Sequence, residues 1–174
     1  YYRRFPEHRV AMRRLVDREL TRARIQLDQS GAEADPEAIA SRIVGVLRRM
    51  PRGSEIDWQI DAEPDLRARI DPDDLTEALG ALLENAMRHT ERSVRIAITR
   101  AAARIHIVIR DDGPGAPEAA LRRLTERGVR LDQSGEGQGI GLAIVHDIID
   151  ASDGRVELAN ADPGLRATLI LHAR

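Results

Sequence analysis

The 174-residue chain contains no cysteine and no lysine, and only 2% of its residues are aromatic. Without cysteine it can form neither disulfides nor thiolate metal sites, which fits a reducing compartment. All 27 basic residues are arginine, so the lysine of a Walker A loop and the strand lysine of a protein-kinase fold are both missing. With so few aromatics, the core has to consist of Leu, Ile, Val and Ala.

Long apolar runs and a strong net charge are also absent. No segment approaches the roughly 20 apolar residues of a membrane helix, and no signal peptide is visible. The net charge of −2 provides no basic field for nucleic acid. We therefore expect no nucleic-acid partner and no membrane contact. The chain starts Tyr-Tyr-Arg-Arg rather than with Met, and we interpret it as a fragment that lacks an upstream part.

The first part of the chain has a helical pattern of its own. Apolar residues recur every three or four positions over residues 7–28, at Met12, Val16, Leu20, Ala23 and Leu27. This narrow seam predicts an amphipathic helix that needs a partner helix. Asp35-Pro36 then opens a new helix that runs to about Met50. We expect a helical segment and linker over 1–33 and a separate domain over 34–174.

The remaining pattern predicts a mixed α+β domain. Alternation and turn signals predict strands at 55–61, 66–70 (its partner), 93–100, 103–112, 154–160 and 165–173. Helices are expected at 71–90, at 117–124 and from the glycines near 139 to about Ser152. This order favours a two-layer α/β sandwich, in which helices cover one face of a mixed sheet.

Asp111 stands at the end of the strand predicted over 103–112. Every second residue from Ile105 is isoleucine until Asp111 takes the same phase, so the acid points where the core points. If the strand ends at Arg110, the acid is instead a solvated turn residue, and periodicity alone leaves both interpretations open. The sequence DDGPG that begins at Asp111 favours a sharp turn and close ligand approach. A buried acid there can accept a hydrogen bond from a bound amine.

The helix predicted over 71–90 carries polar residues along one edge of its apolar stripe. Asn85 lies to the side of that stripe, and Arg88 and His89 share its face at i+3 and i+4. An amide oxygen suits Mg²⁺ and a guanidinium suits phosphate. Taken alone, this arrangement also fits an ordinary polar helix edge.

Four glycines at alternate positions precede an apolar helix in GEGQGIGLAIV, which covers residues 135–145. A dinucleotide-binding G-x-G-x-x-G does not fit, because Ile140 and Leu142 occupy the required glycine positions and no strand precedes them. Amide groups at a helix N-terminus attract anions. The preceding polar segment, with Arg127 and Arg130, has the composition of a mobile lid over such an anion.

The segments ALLENAMRHT, DDGPGAP and GEGQGIGLAIV, in this order and spacing, resemble the N box and the two glycine boxes of sensor histidine kinase ATP-binding domains. These belong to the superfamily that gyrase, Hsp90 and MutL ATPases share (the Bergerat or GHKL fold). The resemblance covers about 36–174. The segment LTERGVR is similar to the lid of kinases like the magnesium-sensing PhoQ type.

The resemblance implies specific roles. Asn85 would bind Mg²⁺, Arg88 would contact phosphate, and His89 would lie beside the adenine. Asp111 would bind the adenine, with room for the base provided by Gly113 and Gly115. The remaining nucleotide contacts implied by the resemblance are Gly137, Gly139, Gly141 and Leu142 of the phosphate loop, Arg127, Arg130 and Gln138 of the lid, and Thr168 of the last strand.

Some positions depart from the family pattern. Ala81 stands where kinases often have a second Asn and gyrase-like ATPases have a catalytic Glu, so autonomous hydrolysis through a Glu base is not expected. The Phe of the F box is missing, with Leu124 and Val129 nearby instead. Neither His8 nor His146 has the context of a phosphoacceptor, so we expect that histidine upstream of Tyr1.

These features predict an enzyme domain that transfers the γ-phosphoryl of Mg·ATP to a histidine on a separate dimerisation domain. The implied partners are ATP and ADP, that upstream domain and a response regulator. The implied location is the cytoplasmic part of a membrane-bound sensor. Two alternatives stay open: a gyrase- or Hsp90-like ATPase clamp, and a degenerate nucleotide-binding module without kinase activity.

Overall fold

The computed structural model describes residues 31–119, 121 and 139–174. Their helices are α1 (Pro36–Leu47), α2 (Pro51–Ser54), α3 (Pro72–His89) and α4 (Gly139–Ala151), and their strands are β1 (Asp57–Ala62), β2 (Ser93–Ala101), β3 (Arg104–Asp111), β4 (Arg155–Asn160) and β5 (Leu165–His172).

The strands form one five-stranded sheet in the order β1-β2-β3-β5-β4. β1 runs parallel to β2, and the other neighbouring pairs are antiparallel. The helices α1, α3 and α4 pack on the face that carries the isoleucines of β3. The predicted two-layer α+β sandwich with a mixed, mostly antiparallel sheet is therefore confirmed. The predicted N-terminal helix and half of the segment predicted as a helix over 117–124 lie outside the described residues.

α3 is the central helix of this layer. Asp71 caps it by accepting hydrogen bonds from the amides of Asp73, at 2.8 Å, and Asp74, at 3.4 Å, which satisfies two amides that lack helical partners. Leu75 and Leu79 are completely buried on its inner face, as their fourfold spacing predicts. This packing fixes the rotation of the helix and thereby the direction in which its polar edge faces.

The segment 66–70 does not pair with β1, and this prediction was wrong. Its alternation is real, since Ala68 and Ile70 are fully buried. Ala68, however, forms isolated bridges with Ala34 and Ala173. β1 pairs instead with β2, and the whole of α3 separates these two strands in the sequence. The crossover through a helix favours a parallel neighbour, and local alternation carries no information on that choice.

Further contacts join the segments that lie near the C-terminal end of β5. Ala34 and Ala68 exchange two backbone hydrogen bonds of 2.9 Å. The Arg67 guanidinium lies 2.9 Å from the Asp35 carboxylate, and Arg174 pairs with Glu33 at 3.0 Å. The start of the described chain is therefore attached to the 66–68 segment and to the residues that follow β5.

Candidate nucleotide site

A shallow, open cleft lies between α3, α4 and the ends of β3, β4 and β5. Its lining is mostly aliphatic, with one amide and one carboxylate. The lining residues are Leu82, Asn85, Ala86, Ile109, Asp111, Leu142, Leu158, Leu165 and Ala167. A concave apolar surface with a few convergent polar groups is the usual form of a small-molecule site.

Asp111 is the buried acid of this cleft. β3 continues through Asp111, and the residue is only 5% exposed, so the acid belongs to the core face rather than to a solvated turn. Its Oδ1 accepts hydrogen bonds from the amides of Gly113, at 2.9 Å, and Leu165, at 3.2 Å. No described residue donates to Oδ2. A ligand amine at the cleft would supply a donor to this oxygen.

The glycines beside Asp111 are required by protein packing. A Cβ on Gly113 would lie 2.2 Å from the carbonyl oxygen of His89, at the end of α3. A Cβ on Gly164, where φ is +95°, would lie 1.9 Å from the carbonyl oxygen of Asp111. Gly113 thus approaches the end of α3, and Gly164 approaches Asp111, too closely for any side chain. That Gly113 also makes room for a base stays a prediction.

Asn160 ties Ala116, the residue after the second glycine of the DDGPG loop, to β4, and sequence reasoning missed it. Its side-chain amide both accepts from the amide nitrogen of Ala116 and donates to the carbonyl oxygen of Ala116, each at 2.8 Å. Gly115, with φ of +74°, leaves space for this contact, because a Cβ there would lie 2.6 Å from Asn160 Oδ1. The only available signal was the position of an amide residue at the end of a strand.

Asp112, which the sequence did not single out, anchors the loop between α3 and β2. Its Oδ1 accepts from the Thr90 hydroxyl at 2.5 Å and from the amides of Glu91 and Arg92, and its Oδ2 accepts from the amide and hydroxyl of Ser93. Burial raises the pKa of this carboxyl, but the hydrogen bonds from residues 90–93 outweigh that effect and hold the pKa well below its ordinary value. The clamp fixes the strand end that presents Asp111.

Asn85 lies on α3 at the edge of the cleft, half-buried. One turn earlier, the Cβ of Ala81 faces Gly141 of α4, where an added Cβ would lie 3.8 Å away. The first turn of α4 therefore packs beside the part of α3 that carries Asn85. Leu142, also in that turn, is buried and lines the cleft. The structure thus brings Asn85, Asp111 and the start of α4 together, as predicted.

Other predicted residues are placed differently. Arg88 is exposed and His89 is half-buried at the end of α3, and neither lines the cleft. Thr168 pairs with Val108 and Glu157, on the sheet face opposite the cleft, while its neighbour Ala167 lines the cleft. The assignment of Thr168 to the adenine site is therefore corrected: successive strand residues alternate between faces, and the cleft position is one residue earlier.

Four predicted positions, Arg127, Arg130, Gly137 and Gln138, lie outside the described residues. Gly139 begins α4. The described part of the chain holds no cluster of three or more His, Cys, Asp or Glu side chains that could bind a metal ion, and none of its helices is long and apolar enough to cross a membrane. The amide oxygen of Asn85 is a suitable single protein ligand for Mg²⁺, which usually takes its other ligands from water and substrate phosphates.

Comparison with known proteins identifies the family. Residues 70–174 match the model of the histidine kinase-, DNA gyrase B-, and HSP90-like ATPases. The chain belongs to this family. The match begins at the segment that enters α3 and includes the whole cleft described above.

Similar proteins assign the chain to the kinase branch of the family. Sensor protein kinase CarS of Pseudomonas aeruginosa is 34% identical over 158 residues, which cover 90% of this chain and 35% of CarS. Two-component sensor PhoQ of the same organism is 33% identical over 144 residues, covering 81% of this chain and 32% of PhoQ. The chain thus spans about one third of the length of these relatives.

Solved structures agree with this assignment. The mycobacterial sensor histidine kinase MprB superposes with a TM-score of 0.69 at 26% identity, over 82% of this chain and 97% of that chain. The catalytic domain of histidine kinase ThkA, at 20% identity, shares the fold with a TM-score of 0.70, over 81% of this chain and 94% of that one. The predicted histidine kinase catalytic domain of the GHKL type is confirmed.

Proposed function

We propose that residues 34–174 bind Mg·ATP and transfer its γ-phosphoryl group to a histidine on a separate dimerisation domain. Residues 1–33 would be the end of a dimerisation helix and a linker. The phosphohistidine would then serve a response regulator, and the whole assembly would be the cytoplasmic part of a membrane-bound sensor. The kinase relatives and the matched family support this proposal.

The single observation that carries the nucleotide proposal is the arrangement of Asp111. Its Oδ1 is occupied by two backbone amides, which hold the carboxylate in place, and Oδ2 has no donor among the described residues. The 6-amino group of adenine is a donor of the required kind. The aliphatic walls that Leu82, Ile109 and Leu142 contribute are suited to the faces of a planar base.

The phosphates would lie toward the start of α4. Amides in the first turn of a helix and its dipole favour an anion, and we assign Gly137, Gly139 and Gly141 to this loop. Mg²⁺, when bound, neutralises phosphate charge, and Asn85 would hold it. Arg88, together with Arg127, Arg130 and Gln138, would position the phosphates, with His89 beside the base. In phosphoryl transfer most catalysis is positioning and charge stabilisation.

ATP and inosine triphosphate provide a direct test of Asp111, because inosine replaces the 6-amino donor with a carbonyl acceptor. We expect the chain to bind ATP at least about tenfold more tightly than the inosine nucleotide, as measured by calorimetry. Asp111→Asn should weaken ATP and reduce this preference, because the amide can donate to the inosine carbonyl. Equal affinity of the unmodified chain for the two nucleotides would refute the assignment.

Asn85→Ala tests the metal site separately. The variant should lose at least about tenfold in affinity for ATP with Mg²⁺ while binding ATP in EDTA as the unmodified chain does. Phosphorylation of a supplied dimerisation domain, rather than hydrolysis by the chain alone, would distinguish the kinase from an ATPase clamp. Unchanged Mg²⁺ dependence in the variant would show that another group holds the metal.

A further inference from the structure

The face of the sheet opposite the helices carries a row of three arginines. In the strand register Arg95 of β2 pairs with Arg110 of β3, and Arg110 pairs with Arg166 of β5. Paired residues of neighbouring strands lie on the same side of a sheet, about 4.8 Å apart. All three residues are exposed. Three guanidinium groups are therefore placed side by side across the centre of the open face.

This row is electrostatically unfavourable for the isolated fold. Like charges directly opposite each other in a sheet destabilise it, and none of the three forms an ion pair with a described carboxylate. Arg110 donates to the carbonyl oxygen of Asp162 at 3.0 Å, a neutral acceptor. The side chains of Arg95 and Arg166 make no hydrogen bond to any described residue. The charges are thus held next to one another without a counterion from the described parts of the chain.

The positions beside the row are mainly apolar. Two residues further along the strands, Ala97 pairs with Val108, and Val108 pairs with Thr168. Ala97 and Val108 are partly exposed, and Thr168 is 9% exposed. A partner that lies across the strands would meet a charged row and, about 7 Å away, a parallel apolar row. No helix within the described residues packs on this face.

Acidic residues border the apolar row at both ends. Asp61 of β1 pairs with Ala97, and Glu157 of β4 pairs with Thr168. A flat anionic surface, such as a membrane or a nucleic acid, would meet these carboxylates as it covered the face. A helix that crosses the strands can instead place its carboxylates over β2, β3 and β5 and neutral residues where it passes β1 and β4.

We propose that this surface, defined by Arg95, Arg110 and Arg166 with the row Ala97, Val108 and Thr168, binds an acidic amphipathic helix of a partner protein. Carboxylates at i, i+3 or i+4, and i+7 of a helix are spaced by about 5 and 10 Å along its axis. The row of arginines has spacings of about 5 and 10 Å. A helix crossing the strands can therefore pair each arginine with one carboxylate while its apolar stripe covers Val108.

The charge of the partner distinguishes it from the segment that precedes residue 31. Residues 7–28 contain six arginines and four acidic residues, so that segment has the wrong sign. The surface lies on the side of the sheet away from the cleft, and binding there does not require nucleotide.

A labelled helical peptide of about 18 residues provides the test. One peptide has its glutamates at i, i+3 and i+7 beside a leucine stripe, and a second has the same composition with the glutamates distributed around the helix. We expect the full chain to bind the first peptide at least about tenfold more tightly than the second in fluorescence anisotropy, with weaker binding at higher salt.

The variant Arg95→Glu/Arg166→Glu should reduce this binding at least about tenfold. The same change replaces two repulsive cross-strand pairs with attractive ones, so the melting temperature should rise by about 1–4 °C. Arg49→Glu, at an exposed position of the helical layer, is the matched control and should bind within about twofold of the unmodified chain. Arg95→Gln/Arg166→Gln removes the same charges without adding new ones and should also weaken binding.

Equal binding of the two peptides, or unchanged binding by both double variants, would overturn the proposal. Tight binding of phosphatidylserine vesicles or of an oligonucleotide that depends on Arg95 and Arg166, without peptide binding, would overturn it in favour of a different anionic partner. Opposite effects of the Glu variant on peptide affinity and thermal stability would support it, because loss of folding cannot produce both.

Discussion

The carboxylate of Asp112 should stabilise the fold by joining two elements far apart in sequence. Its five hydrogen-bond donors all lie in residues 90–93. Asp112→Asn keeps an oxygen at one position but places an NH₂ group against the amide and hydroxyl of Ser93, which are both donors. Two charge-assisted hydrogen bonds are lost, and water can solvate the exposed backbone of Glu91 and Arg92. We expect a destabilisation of about 2 kcal/mol at pH 7.

The effect should depend on pH with a defined sign. The folded pKa of Asp112 is lowered from its ordinary value of 3.8, so its contribution is fully present above that value. The contribution is lost as the pH falls from there toward the folded pKa. At pH 3 it should have decreased by about 1 kcal/mol, and the difference between the unmodified chain and Asp112→Asn should shrink accordingly.

Urea denaturation at several pH values between 7 and 3 measures both quantities. Asp61→Asn, at an exposed carboxylate on β1, is the control and should change the free energy of unfolding by less than about 0.5 kcal/mol. An Asp112→Asn variant as stable as the unmodified chain at pH 7 would refute the reasoning. A stability difference that stays constant down to pH 3 would refute the charge-based part of it.

Two further predictions concern the surroundings of the cleft. Gly164→Ala should destabilise the fold by more than about 2 kcal/mol and weaken ATP binding, because of its positive φ and the contact with the Asp111 carbonyl. Gly45→Ala, at an exposed helix position with free space around it, should instead stabilise the fold by about 0.5–1 kcal/mol. Stability changes of the same sign for the two variants in denaturation, or an unchanged ATP affinity of Gly164→Ala in calorimetry, would contradict this prediction. Thr168→Val should leave ATP affinity within about twofold, and a larger loss would contradict its position on the open face.

Local pattern was sufficient for much of the fold. The alternating residues that end in Asp111 and the apolar stripe of α3 form buried faces. The period of 2 in a strand and of 3.6 in a helix determines which residues share one face. Periodicity placed Asn85 and Asp111 at fixed phases within long, regular elements but left each with two interpretations, and the resemblance to the kinase motifs singled them out.

Other features depend on contacts between distant segments. The parallel pairing of β1 with β2 depends on which strand becomes the neighbour of β1 in the folded sheet. The alternation in 66–70 fits several partner strands equally well. Asp112 gives no periodic signal, because it follows β3 while its donors lie in residues 90–93, at the start of β2. The position of Thr168 could have been obtained from the phase of Leu169 and Leu171, which are fully buried, so that error came from applying the family pattern one residue late.

The attachment of residues 33–35 to the segment around Ala68 has a mechanical consequence. Ala68 is bridged to Ala173, beyond the far end of β5, whereas Leu165 at the near end donates to Asp111. Seven strand steps separate Leu165 from His172, a length of roughly 24 Å. The attachment and the cleft therefore lie at opposite ends of β5. A rotation of the domain by about 10° about residues 33–35 would carry the cleft through roughly 4 Å, without any change in its internal geometry.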